Sequence, residues 1–228
     1  MMRLIDHWFT RAECARIFPF IGFILLLALQ PWLVELFTAL GVAAQAAYVC
    51  RCLLALWLLF YFKTDYRELI DKPAGTQIGV ALLAGVLVFV LWIAPYPGWL
   101  GGSETQNAAA MPMQTSADWF WLGCRWAGSA LVVPVIEELF WRSYLMRRLD
   151  ANDFLTVSPA AVTAYAILLS SVLFAVEHQL WFAGLLAGLV YAWLYRHFQV
   201  LWVAIIAHVT TNALLGAWVV FGDHWQYW

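Results

Sequence analysis

Five side chains able to move a proton or hold a developing negative charge lie inside apolar stretches: Glu137, Glu138, His178, His208 and Asn212. A glutamate that exchanges protons with water, beside histidine and asparagine donors, is the equipment of a water-activating hydrolytic site. The carboxylate serves as general base, and the imidazole and amide donate to an oxyanion. The two glutamates stand in VVPVIEELFWRSYLM, residues 132–146, with Arg142 four residues after Glu138. On an α-helix, positions i and i+4 share a face, so Glu138 and Arg142 are expected to pair as a structural brace. Glu137 lies about 100° further round and is left over for chemistry. A charge at the centre of a membrane helix costs roughly 2.5–3.5 kcal/mol, so these three must face protein or water. His208 and Asn212 are also at i, i+4, in AHVTTN, and His178 closes FAVEH, four residues after Phe174.

The surrounding composition says what must position these groups. Apolar residues make up 64% of the chain and charged ones 11%, which selects a membrane protein over a soluble domain. The 15 Trp and 9 Tyr suit interfacial belts, and a net charge of −2 offers no nucleic-acid footprint. Cys14, Cys50, Cys52 and Cys124 have no zinc spacing and read as small buried hydrophobes. No cofactor motif is present.

The expected fold is all-α, a polytopic transmembrane helical bundle of about seven spans with the N-terminus inside. Residues 1–228 form one transmembrane domain, with 118–215 as its catalytic core. The spans fall at about 17–37, 43–62, 76–95, 118–146, 159–176, 181–195 and 200–221, and Pro31 is placed to kink the first. That first run is too long for a cleaved signal sequence, which makes an uncleaved anchor the expectation. The orientation follows from Lys63, Arg67, Lys72, Arg147, Arg148 and Arg196, all on inner loops, while the outer loop 96–117 carries only Glu104. Arg51 and Arg125, near span ends, are expected to snorkel, and Glu177 reads as an interfacial acid. Gly184 and Gly188 form a GxxxG suited to close packing of the sixth span. His7, His197 and His224 are loop or terminal residues.

Depth tests the grouping. Glu137 lies ~15 Å and His208 ~12 Å from the inner ends of their spans, which agree. His178 falls nearer the outer end. The short sixth span, ~22 Å against a ~30 Å core, would let the turn before it sink toward the level of Glu137.

Taken in order, EExxxR (Glu137, Glu138, Arg142), FxxxH (Phe174, His178) and HxxxN (His208, Asn212) resemble the three motifs of the CPBP family. That family includes the type II CAAX prenyl endopeptidases and the bacteriocin-processing or Abi proteins. The resemblance covers about 118–215, and the flanking pattern is similar to bacterial CAAX-protease-related proteins associated with exosortase systems. It implies a glutamic-type intramembrane endopeptidase in a bacterial inner membrane. Its partners would be membrane lipids, a membrane-tethered or lipidated protein or peptide, and an exosortase-type sorting system. Carried over, Glu137 and His178 activate water, His208 and Asn212 stabilise the oxyanion, and Glu138 and Arg142 brace the site.

Two alternatives stay open at this stage. Glu137, His178 and His208 would suffice as ligands for a metal-dependent hydrolase, although HExxH-type spacing is absent. Alternatively the polar groups only lock helices together, in a non-enzymatic immunity or assembly factor of an export system.

Overall fold

The computed structural model describes residues 9–101 and 115–227. His7 and Glu104 lie outside them. Eight helices carry the described chain: α1 (Arg11–Ala28), α2 (Gln30–Ala39), α3 (Ala46–Tyr61), α4 (Gly75–Trp92), α5 (Ser116–Arg148), α6 (Ala164–Val176), α7 (Trp181–Phe198) and α8 (Leu201–Gly222). No strand occurs among the described residues. Each of the seven apolar runs is helical. By length and composition α4, α5 and α8 can each cross a membrane, and α1 with α2 would be a fourth span if the bent pair counts as one. Large apolar side chains such as Phe60, Leu83, Val176 and Phe221 remain exposed on the helices, as lipid contact requires.

The kink expected at Pro31 falls at Leu29, where α1 and α2 meet at 65°. Proline lacks an N–H and its ring collides with the carbonyl four residues back, so the chain restarts with Pro31 in the first turn of α2. The fifth run begins later than its apolar sequence suggests. Residues Pro159–Ala161 form a short 3₁₀ turn, and α6 starts after Thr163, whose hydroxyl caps Ala166 N–H. Asp150 fixes that cap by accepting from the Thr163 N–H (2.8 Å) and hydroxyl (2.6 Å).

The helix α5 departs from α-geometry twice, with π-helical turns at Gly128–Val132 and Leu139–Leu145. The first has a local cause. Pro134 stands just beyond it, and the wide turn closes with Val133 N–H donating to the Gly128 carbonyl. Nothing in the residues of the second turn marks it.

The chain packs as two compact units. The first comprises the described parts of Met1–Arg67 and Pro112–Phe140. In it α1 runs antiparallel to α3: Phe18 meets Phe62 edge to face, and the Tyr66 hydroxyl donates to the Ala15 carbonyl at 2.7 Å. The early part of α5 runs parallel to α3, with Phe23, Cys52, Ala55, Val132 and Ile136 as the shared core. A Thr10–Glu13 capping box starts α1, and buried Arg16 donates to the carbonyls of Ala12 and Asp65. Arg51 does not snorkel as expected. It is 5% exposed, with its guanidinium held 5.1 Å from the Phe23 ring centre and 4.9 Å from that of Tyr48.

The second unit comprises the described parts of Glu68–Met111 and Trp141–Trp228. Its tightest pairs are α4 with α8 and α6 with α7. Gly85 lets α4 touch α8: a Cβ there would stand 2.5 Å from the Ala207 carbonyl oxygen. The GxxxG of α7 does the same against α6, where a Cβ on Gly188 would meet Ser171 at 3.0 Å and one on Gly184 would meet Ala175 at 3.2 Å. Arg147, read from sequence as an inner-loop cation, is buried. It donates through Nη2 to the Ser143 hydroxyl at 2.9 Å, which in turn donates to the Glu68 carboxylate. The four cysteines are free, Cys14 and Cys52 buried and Cys50 and Cys124 half-buried.

Candidate active site

The second unit brings one residue from each of three separated motifs, Arg142, His178 and His208, around one ring. Phe174, on α6 and 1% exposed, has the Arg142 guanidinium 4.7 Å from its centre. His178 lies 4.7 Å from the same ring, and His208 meets it edge to face at 6.1 Å. Trp141 closes another side, perpendicular at 5.9 Å. The phenylalanine of FxxxH is therefore the common wall of a polar group formed by α5, α6 and α8.

Each imidazole is held by a different device. His178 stands in the turn between α6 and α7, outside both helices, and its Nδ1 lies 2.8 Å from the Phe174 carbonyl. A carbonyl only accepts, so Nδ1 carries the proton and Nε2 keeps its lone pair in the neutral ring. The four-residue spacing of FxxxH thus has a local meaning: the histidine folds back to cap an orphan carbonyl at the end of α6. Trp92 packs perpendicular to the imidazole at 5.2 Å. Burial lowers the His178 pKa to about 4, and His208 and Arg142 nearby push in the same direction against the Phe174 carbonyl. At neutral pH the ring is uncharged and able to accept a proton.

His208 is buried on α8, its ring stacked on Tyr191 of α7 with centres 4.7 Å apart. The Tyr191 hydroxyl donates to Thr211 Oγ1 at 2.8 Å, and Thr211 donates onward to the Gly85 carbonyl at 2.9 Å. This relay ties α7, α8 and α4 together. The Arg142 guanidinium, fully buried, also lies 5.7 Å from the Tyr191 ring. Asn212 is half-buried on the next turn of α8 after His208. Glu177, just past the end of α6, lies in the field of Arg142.

Glu137 and Glu138 belong to the first unit, at the end of the α-helical segment Val133–Glu138. Both are buried, at 8% and 0% exposure. The π turn that begins at Leu139 replaces the i to i+4 ladder by i to i+5 bonds, so four residues no longer complete the turn that an α-helix would give. Among the described residues no group of three or more His, Cys, Asp and Glu side chains could hold a metal ion.

Sequence reasoning singled out His178, His208 and Arg142, but not Trp141, Tyr191 and Thr211, which pack around them. Their roles arise only from how α5, α7 and α8 face α6, and no spacing in one segment announces them.

The described residues thus make a helical protein with helices apolar and long enough to cross a membrane, and its second unit holds two imidazoles and a buried arginine around one phenylalanine. The family comparison is more particular. Residues 116–214, a little under half of the chain, match the family described as Type II CAAX prenyl endopeptidase Rce1-like. No curated protein and no solved structure matches the chain. The family is one of endopeptidases that act on membrane-associated proteins.

Proposed function

We propose that the protein is an intramembrane endopeptidase that cleaves a membrane-tethered or lipidated, CAAX-like protein or peptide with water activated by Glu137. The observation that supports it best is the convergence of Arg142, His178 and His208 on Phe174. Residues 118–215 are the catalytic core on this reading. Water attacks the scissile carbonyl while Glu137, assisted by the lone pair of His178 Nε2, takes its proton. His208 and Asn212 donate to the oxyanion, and the proton returns to the departing amine as the C–N bond breaks. Glu138 and Arg142 brace the polar group. The flanking sequence further suggests that the substrate belongs to an exosortase-type sorting system of a bacterial inner membrane.

The test is cleavage of a fluorogenic farnesylated CAAX peptide by the purified chain in proteoliposomes. Glu137→Gln should lower kcat by at least about 10²-fold while the protein still inserts and stays monodisperse, because general-base catalysis contributes about 10²–10⁴. Wild-type turnover in that variant refutes the reading and leaves the non-enzymatic scaffold.

A further inference from the structure

The first unit holds a buried cation that the proposed reaction does not use. Two nitrogens of Arg51, Nε and Nη1, have no hydrogen-bond partner among the described residues. The Tyr48 hydroxyl, also buried, has only the thiol of Cys52 beside it, a weak partner. Gly128 of α5 allows this approach, since a Cβ there would stand 2.6 Å from Cys52 Sγ and 2.8 Å from the Tyr48 hydroxyl oxygen. The groups whose fields act on Arg51 are Tyr48, Cys52 and Arg125, and the one charged group among these is a second cation. Aromatic faces offset only part of the cost of taking a guanidinium out of water. An anion would supply the rest, and a guanidinium fork matches phosphate oxygens in a bidentate way.

Depth selects the anion's source. Arg51 lies five residues beyond the start of α3, or ~7 Å along its axis. At ~50 Å, α5 is longer than a ~30 Å hydrocarbon core, so its ends reach headgroup level. Because the two helices run parallel, Arg125 approaches Arg51 from that same end. We infer that Arg51, with Tyr48 and Arg125, binds the phosphate of an anionic phospholipid headgroup.

The full-length protein would be loaded in detergent with equal amounts of phosphatidylglycerol and phosphatidylcholine, and retained lipid read by native mass spectrometry. Wild type should keep phosphatidylglycerol at least tenfold over phosphatidylcholine, and only phosphatidylglycerol should raise its Tm. Arg51→Met, which keeps volume and loses charge, should cut that preference at least fivefold and raise Tm in lipid-free detergent. Tyr48→Phe, a milder change that spares the fold, should cut it two- to threefold. Equal retention of the two lipids by wild type overturns the inference, as does an unchanged preference in both variants. Displacement of the lipid by millimolar inorganic phosphate, or by a peptide with a free terminal carboxylate, would also overturn it and make that molecule the occupant. No readout involves peptide cleavage, so the endopeptidase reading stands or falls separately.

Discussion

Two glycines on α4 offer a matched test of whether the α4–α8 contact positions the polar group. A Cβ on Gly85 would stand 2.5 Å from the Ala207 carbonyl oxygen and 2.6 Å from Thr210 Cβ, whereas one on Gly79 meets nothing within 4 Å. Ordinary contact begins at 3.4 Å, so Gly85→Ala must separate the helices by about 0.9 Å, and the obstacle is backbone that no rotamer change removes. That separation stretches the Thr211 bond to the Gly85 carbonyl, worth about 1 kcal/mol, on top of about 1–3 kcal/mol of overpacking. The intrinsic helix gain of alanine over glycine returns about 1 kcal/mol, for a net loss near 2 kcal/mol. Because α8 carries His208 and Asn212, a displacement of this size should lower kcat by about 10–100-fold with little change in KM. Gly79→Ala should raise stability by about 0.5–1 kcal/mol and leave kcat alone. Thermal unfolding in detergent and peptide cleavage in proteoliposomes give both numbers. Equal stability and turnover for the two variants would refute the claim that this contact sets the geometry of α8.

Acid should act through His178. Its pKa falls from 6.5 to about 4 on folding, so between those values the unfolded chain binds the additional proton and stability declines as pH falls. Unfolding titrations from pH 7 to 4 should show this loss in wild type, and His178→Gln should flatten it. Tyr191 separates two contributions on one side chain. Tyr191→Phe keeps the stack on His208 but removes the donor to Thr211, costing about 0.5–1.5 kcal/mol with modest loss of turnover. Tyr191→Leu removes both and should lower turnover further, and equal activity of the two variants would show that the stack does not orient His208.

The apolar runs made the helices legible, because no other feature of a chain so poor in charge could organise it. The bend near Pro31 was legible for the same reason: proline chemistry is local. Helix starts set by remote partners were not, as Asp150 and Thr163 show, since their pairing spans thirteen residues of irregular chain. The polar residues of the candidate site could be picked out singly because charge and imidazole stand out against apolar neighbours. What held them together was hidden. Phe174, Tyr191 and Trp141 look like ordinary core residues until α5, α6, α7 and α8 are assembled around them. Depth counted along separate helices placed His178 toward the outer end, and could not anticipate that its ring folds back onto Phe174. Arg51 misled in the opposite way: a cation near a helix end looks like a snorkelling one until its aromatic neighbours are seen.

The two π turns of α5 bear on how this chain is compared with others. A π turn amounts to one additional residue accommodated in an α-helix without breaking it. A homologue that keeps plain α-geometry at 128–132 or 139–145 would be one residue shorter there. Alignments that forbid gaps inside membrane helices would then slide one sequence past the other by a single position. Everything on the far side of the turn would be misnumbered. Distant kin of this chain will be matched correctly only where a single-residue gap is admitted in the middle of α5.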